Sequence, residues 1–186
     1  RRNLELTETL RSKEKRGSLL WVLDQTKTAM GKRLMRKYLE QPLASIPQIT
    51  RRQSAVAELV GKTMDRCELT EALSGVHDLE RLMTKVVYGT VNPRELLSLS
   101  YTAQNLPAVK EVASHFSCSL LKDLYCRLDT LSEMRELIDS AIDDDAHCVI
   151  PTLVSRDIAS TVVETPLDHP HELYLAVAMA MSVGVR

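Results

Sequence analysis

Four groups of residues in this chain have types and spacings that suit chemistry. The first is the run Asp143, Asp144, Asp145, His147 and Cys148, whose carboxylate, imidazole and thiol groups are all metal ligands. Adjacent carboxylates point in different directions from any regular backbone, and the glycine and distal glutamate of a calcium loop are missing. Zinc-ligand spacing is missing as well, so the run reads as a solvated acidic helix end. The second group is the Gly-Lys pairs that a phosphate-binding loop would need. Gly31-Lys32 is followed by Arg33 inside a helical pattern. Gly61-Lys62-Thr63 ends in the right types, but position 56, where the motif requires glycine, is Val56. The third is histidine. His77 beside Asp78 suits an orienting hydrogen bond but has no recognisable nucleophile, and His169 and His171 flank Pro170 in a turn. The fourth is the basic run Arg11, Lys13, Lys15 and Arg16, interrupted by Glu14, which could contact DNA phosphates or stand as a solvated loop. No catalytic, cofactor-binding or metal-binding residue is expected in this chain.

These groups sit on a helical framework. Leu79, Leu82, Met83, Val86 and Val87 recur as one face of a helix requires, and so do Met134, Leu137, Ile138, Ala141 and Ile142. Met30, Leu34, Tyr38 and Leu39 form another such face, and Leu120, Leu121, Leu124, Tyr125 and Leu128 a fourth. Thr28 is placed to cap a helix that ends at Gln41-Pro42. Pro47, Pro93 and Pro107 each open a helical pattern, with Ser45 and Asn92 as caps before the first two. Ser119 and Ser132 are placed to cap two later helices. The expectation is an all-α bundle of six to eight helices. It is preceded by a short segment, Asn3 to Thr7, that alternates polar and apolar like an extended strand, and by a polar loop over residues 8 to 17.

Composition bounds the class. With 186 residues, 44% hydrophobic and 26% charged, the chain suits one soluble domain with or without a short appendage. Aromatic residues are only 4%, so Leu, Val, Ile, Met and Ala must build the core. The net charge is −1, but residues 1 to 40 hold eleven Lys or Arg against five Asp or Glu, which puts a basic end on an acidic body. Cys67, Cys118, Cys126 and Cys148 show no CxxC pairing, and the chain opens Arg1-Arg2-Asn3 without a signal-like stretch. The expectation is reduced, buried thiols in a cytoplasmic protein. Leu173 to Val185 is too short for a membrane span of about 20 residues. Leu173 to Val183, apolar on all sides, is either a buried helix or foreign to the fold.

Several stretches occur in a familiar order. Arg1 to Thr9 is followed by Gly17-Ser18-Leu19-Leu20-Trp21-Val22-Leu23-Asp24-Gln25-Thr26-Lys27-Thr28-Ala29-Met30-Gly31. Then come Arg33-Leu34, Leu39-Glu40-Gln41-Pro42-Leu43, Asp78-Leu79-Glu80-Arg81-Leu82, and Gly89-Thr90 with Asn92-Pro93-Arg94-Glu95-Leu96. Together they resemble the core, or lever, domain of the MutS mismatch-repair family over residues 1 to 143. The same residues have structural roles: Gly31 gives room where Met30 and Leu34 pack, Gly89 ends a helix at positive φ, and Asp78 starts one with Arg81 on its polar face.

The resemblance implies a helical bundle that relays movement between a DNA clamp and an ATPase. The complete family protein binds mismatched double-stranded DNA as a homodimer, uses ATP and Mg, and signals to a MutL-type repair protein. The family's mismatch-reading Phe-x-Glu is absent, since the lone Phe116 is followed by Ser117-Cys118. Where the family continues into a Val-Arg-(Asp/Glu)-Gly-Gly segment and a long lever helix, this chain reads His147-Cys148-Val149-Ile150-Pro151. Residues 144 to 186 therefore stand as a tail that is divergent, fused or read from another frame. The alternative is a generic helical protein-protein scaffold with no DNA role. The two separate on whether Arg33, Arg81 and Arg94 face missing domains or only solvent. A small enzyme would need a pocket with converging polar groups, and the sequence proposes none.

Overall fold

The computed structural model describes residues 4–142, and the acidic run from Asp143, Cys148, His169, His171 and the apolar stretch from Leu173 lie outside them. Within that range the chain forms eight helices and no strand. They are α1 (Leu19–Leu23), α2 (Ala29–Glu40), α3 (Ile46–Gly61), α4 (Thr63–Ser74), α5 (Leu79–Val87), α6 (Pro93–Ala113), α7 (Ser119–Arg127) and α8 (Ser132–Ala141).

Local chemistry sets most of these boundaries. The Thr28 hydroxyl accepts from Gly31 N–H at 3.0 Å, and α2 stops at Gln41, before Pro42. Gly31 is small for a different reason than the packing of Met30 and Leu34: a Cβ there would lie 3.0 Å from Thr28 Oγ1 and 3.3 Å from Thr26 Cβ. Asn92 and Glu95 close a reciprocal capping box at the start of α6, directly before Pro93. Asp78 caps α5, and Gly89 follows its end at φ +66°.

Three expectations are corrected: the place of Pro107, the caps at Ser119 and Ser132, and the extended start. Pro107 does not open a helix but lies inside the 21-residue α6. Its ring removes the N–H that Ala103 O would accept, at about 3 kcal/mol. Leu99, Ala103, Leu106 and Val109 are all buried on either side of it, and that apolar face holds the helix through the proline. Ser119 and Ser132 are the first residues of their helices. The cap positions are Cys118 and Leu131, the latter at φ +54° with its side chain committed to the core. Ser45 occupies the cap position of α3 without a side-chain cap bond. The segment Leu4 to Thr7 is not extended. Glu5 turns at φ +46°, and the Glu5 and Leu6 carbonyls accept from Leu19 and Leu20 N–H, docking the segment on the start of α1.

One apolar core runs from Met30 through α3 to α8 and ends at Ile142. Leu59, Leu69, Leu96, Leu99 and Ile138 are wholly buried in it. Truncating any of these to Ala would cost roughly 2–5 kcal/mol. Helix α6 is its axis, packed against α4, α5, α7 and α8. A second, smaller nucleus joins Leu20 and Met35 with Leu23 and Leu39, and so holds α1 on α2. The sequence-read faces fill these cores except at their edges, where Val87 and Ala141 are exposed.

Candidate functional site

Polar ties join helices far apart in sequence. From α2, the Arg33 guanidinium reaches the first turn of α5. Its Nη1 and Nη2 donate to the two Asp78 oxygens at 2.8 and 2.7 Å, and Nε and Nη2 donate to Glu80 Oε2 at 3.0 and 2.6 Å. A guanidinium that donates to two carboxylates at once through Nε, Nη1 and Nη2 makes a fork that lysine cannot. Arg33 holds the Asp78 carboxyl below its ordinary pKa, and the Arg33 pKa rises in return. Both Asp78 oxygens are thus used, so Asp78 serves Arg33 and its own helix start rather than orienting His77. His77 is exposed, and its backbone N–H donates to the buried Thr102 hydroxyl at 3.2 Å. Arg52 stacks over the Tyr38 ring, 3.7 Å from its centre, and adds a second link from α2, this one to α3.

A deeper tie starts from Glu58 on α3. Its carboxylate accepts from Ser117 N–H at 2.6 Å, the Ser117 hydroxyl at 2.8 Å and Cys118 N–H at 2.7 Å, and Lys62 Nζ lies 3.1 Å away. Glu58 thereby supplies the cap that α7 lacks from its own Cys118. Burial raises the Glu58 pKa, but the N–H bonds from Ser117 and Cys118 outweigh it and bring it down to about 2. Further ties are Arg51 to Asp123, Lys85 to Glu95 and Ser100 to Asp139, the last joining α6 to α8.

The basic run stands on the N-terminal loop. Arg11, Lys13, Lys15 and Arg16 are all exposed. Lys15 is committed to Asp24 at 2.7 Å, and Asp24 also accepts from the Thr26 hydroxyl. Burial raises the Asp24 pKa, while Lys15 and Thr26 lower it to a net value below the ordinary one. Lys13 also borders an open cleft of about 480 Å³ lined by Leu6, Thr7, Glu8, Thr9, Leu10 and Glu40. Two carboxylates share that lining with one ammonium, which weakens it as a phosphate cradle.

The other sequence candidates are dispersed. Gly31-Lys32 lies in the first turn of α2, and Gly61-Lys62-Thr63 is the corner between α3 and α4. At that corner Lys62 Nζ donates to His115 O at 2.5 Å. Among the described residues the thiols are not buried as expected: Cys67 and Cys126 are exposed, and Cys118 is half-buried. Leu69 and Leu73 take the core face of α4, and Leu120, Leu121 and Leu124 that of α7, which leaves both cysteines on outer faces. Burial raises the Cys118 pKa. Sequence reading found none of the long-range ties, because Arg33 and Asp78, or Glu58 and Ser117, are ordinary surface residues until the bundle closes. Among the described residues no helix is long and apolar enough to cross a membrane.

The molecule is thus an all-α bundle whose helices are cross-tied by ion pairs, with a small α1–α2 nucleus and a basic loop at one end. The chain belongs to the MutS domain III family, whose model matches residues 1–155. Named relatives agree. A "DNA mismatch repair protein MutS" of Alkaliphilus oremlandii is 44% identical over 176 residues, which is 95% of this chain and 19% of that protein. The protein of the same name from Caldanaerobacter subterraneus is 49% identical over 144 residues, 77% of this chain and 17% of that protein. The one from Lachnoclostridium phytofermentans is 47% identical over 145 residues, 78% of this chain and 16% of that protein. The chain therefore spans under one fifth of the length of these relatives.

Proposed function

We propose that this chain is the helical core of a mismatch-repair protein and that it relays movement between the DNA clamp and the ATPase of the complete protein. The observation that carries this reading is the single apolar core from Met30 to Ile142, cross-tied at its corners by Arg33 and Glu58. In such a body, displacing one helix displaces the others, because packed cores resist continuous deformation.

On this reading the piece has no catalytic role. The complete protein is a cytoplasmic homodimer that binds mismatched double-stranded DNA, uses ATP and Mg in another domain, and signals to a MutL-type partner. Arg11, Lys13 and Arg16 are the residues through which this piece would touch a phosphate backbone, with Lys15 largely spent on Asp24. On this reading residues 1–143 are the helical core and 144–186 a further segment, of which the part up to residue 155 still matches the family model. Arg33 is used inside the bundle, whereas Arg81 and Arg94, both exposed, are suited to meet another domain.

The test is Arg33→Gln in the complete protein. Mismatched-DNA affinity and ATP turnover without DNA are expected to stay near the parent values, while the change in turnover caused by mismatched DNA shrinks. Undiminished coupling in both Arg33→Gln and Glu58→Gln would favour a passive scaffold and overturn the relay.

A further inference from the structure

The corner between α3 and α4 meets the turn after α6, and there three metal-ligating side chains converge that the relay does not use. Asp65 and Glu68 stand one turn apart on α4, and His115 comes from the turn that follows α6. One ligand atom from each lies within 4.8 Å of the other two. His115 Nδ1 is already 3.1 Å from Asp65 Oδ1.

The backbones that carry these groups are fixed. Leu69 and Leu73 seat α4 in the core, and Phe116, the residue after His115, is buried. His115 N–H donates to Val112 O, and its carbonyl accepts from Lys62 Nζ. The side-chain ends are more exposed and can close on an ion. Tetrahedral ligands about 2 Å from a metal stand about 3.3 Å apart, a contraction that rotation of Glu68 and His115 can supply. Two carboxylates one helical turn apart repel each other, and a dication between them neutralises both. The basic groups at this corner are otherwise engaged: Lys62 bonds to Glu58 and the His115 carbonyl, and Arg66 reaches the Leu59 carbonyl.

We propose that Asp65, Glu68 and His115 form a surface site for a first-row divalent cation of the Zn²⁺ or Ni²⁺ type, with water completing the shell. The imidazole sets the class. Mg²⁺ and Ca²⁺ take oxygen ligands, whereas Zn²⁺ and Ni²⁺ accept nitrogen and carboxylate oxygen together. Glu58 is not a fourth ligand, since both its oxygens are held by Ser117 and Cys118.

The experiment is calorimetric titration of the 186-residue chain with Zn²⁺. Cys67, Cys118, Cys126 and Cys148 are replaced by Ser so that thiols do not compete. One equivalent is expected to bind with micromolar affinity and to withstand millimolar Mg²⁺. His115→Ala and Glu68→Gln, both at exposed positions, are each expected to weaken it roughly tenfold or more. Equal Zn²⁺ affinity in the parent and both variants, or no binding by the parent below millimolar Zn²⁺, would overturn the site.

Discussion

Replacing Glu58 by Gln keeps the side chain's shape and removes the charge that caps α7 from outside its own sequence. The carboxylate accepts from two backbone N–H groups and one hydroxyl, and its side chain is only 13% exposed. Its pKa falls from 4.5 to about 2 on folding. At 1.36 kcal/mol per unit, that difference places an upper value of about 3 kcal/mol on the ionised group's contribution at neutral pH. The sign follows from the depressed value. The contribution is full above the unfolded pKa and is lost as pH falls from about 4.5 through about 2. By pH 3 more than half of it is gone. Urea unfolding of the parent and of Glu58→Gln at several pH values measures this. The variant is expected to be less stable by about 2–3 kcal/mol at pH 7, with the gap narrowing to about 1 kcal/mol at pH 3. A gap that stays constant between pH 7 and pH 3 would refute the reasoning, because it would mean that packing rather than charge makes the tie.

Two other outcomes follow from the same geometry. With iodoacetamide at pH 8, the exposed Cys67 and Cys126 are expected to alkylate before the half-buried Cys118, whose pKa burial raises, since the thiolate is the nucleophile. Peptide mass spectrometry reads the order, and equal or faster labelling of Cys118 would contradict it. In the complete protein, changing Arg11, Lys13 and Arg16 to Gln is expected to flatten the salt dependence of DNA binding by up to about 0.9 log units per log unit of salt for each phosphate no longer neutralised. Lys15→Gln is expected to flatten it less, because Asp24 already holds that charge. An unchanged slope in the triple variant would remove the loop from the DNA path.

The fold was legible where one element carries its own signal. Thr28, Asn92, Gln41-Pro42 and Gly89 mark ends through bonds and dihedrals that lie within a few residues, and the structure places helix boundaries at each. It was illegible where burial overrode a local preference. Pro107 signals a helix start, yet the apolar residues on both sides of it are worth more than the bond it removes. Leu131 takes a left-handed cap position that Ser132 would fill on propensity, because its side chain belongs in the core. The candidate site was less legible still. Arg33 meets Asp78 across 45 residues and Glu58 meets Ser117 across 59, and no periodicity links them. Asp65 and Glu68 share a helix, but His115 joins them only when α4 and α6 pack. The basic loop was visible as composition, while the commitment of Lys15 to Asp24 needed the turn that brings them together.

The central claim is that the bundle moves as one body between the two ends of the complete protein. Spin labels on the exposed Cys67 of α4 and Cys126 of α7, with all other thiols replaced, would report a distance inside that body by pulsed electron resonance. The expected result is the same Cys67-to-Cys126 distance in the free protein, with mismatched DNA and with ATP. A shift of several ångströms on adding either ligand would mean that the helices slide past one another, and the rigid relay would be wrong.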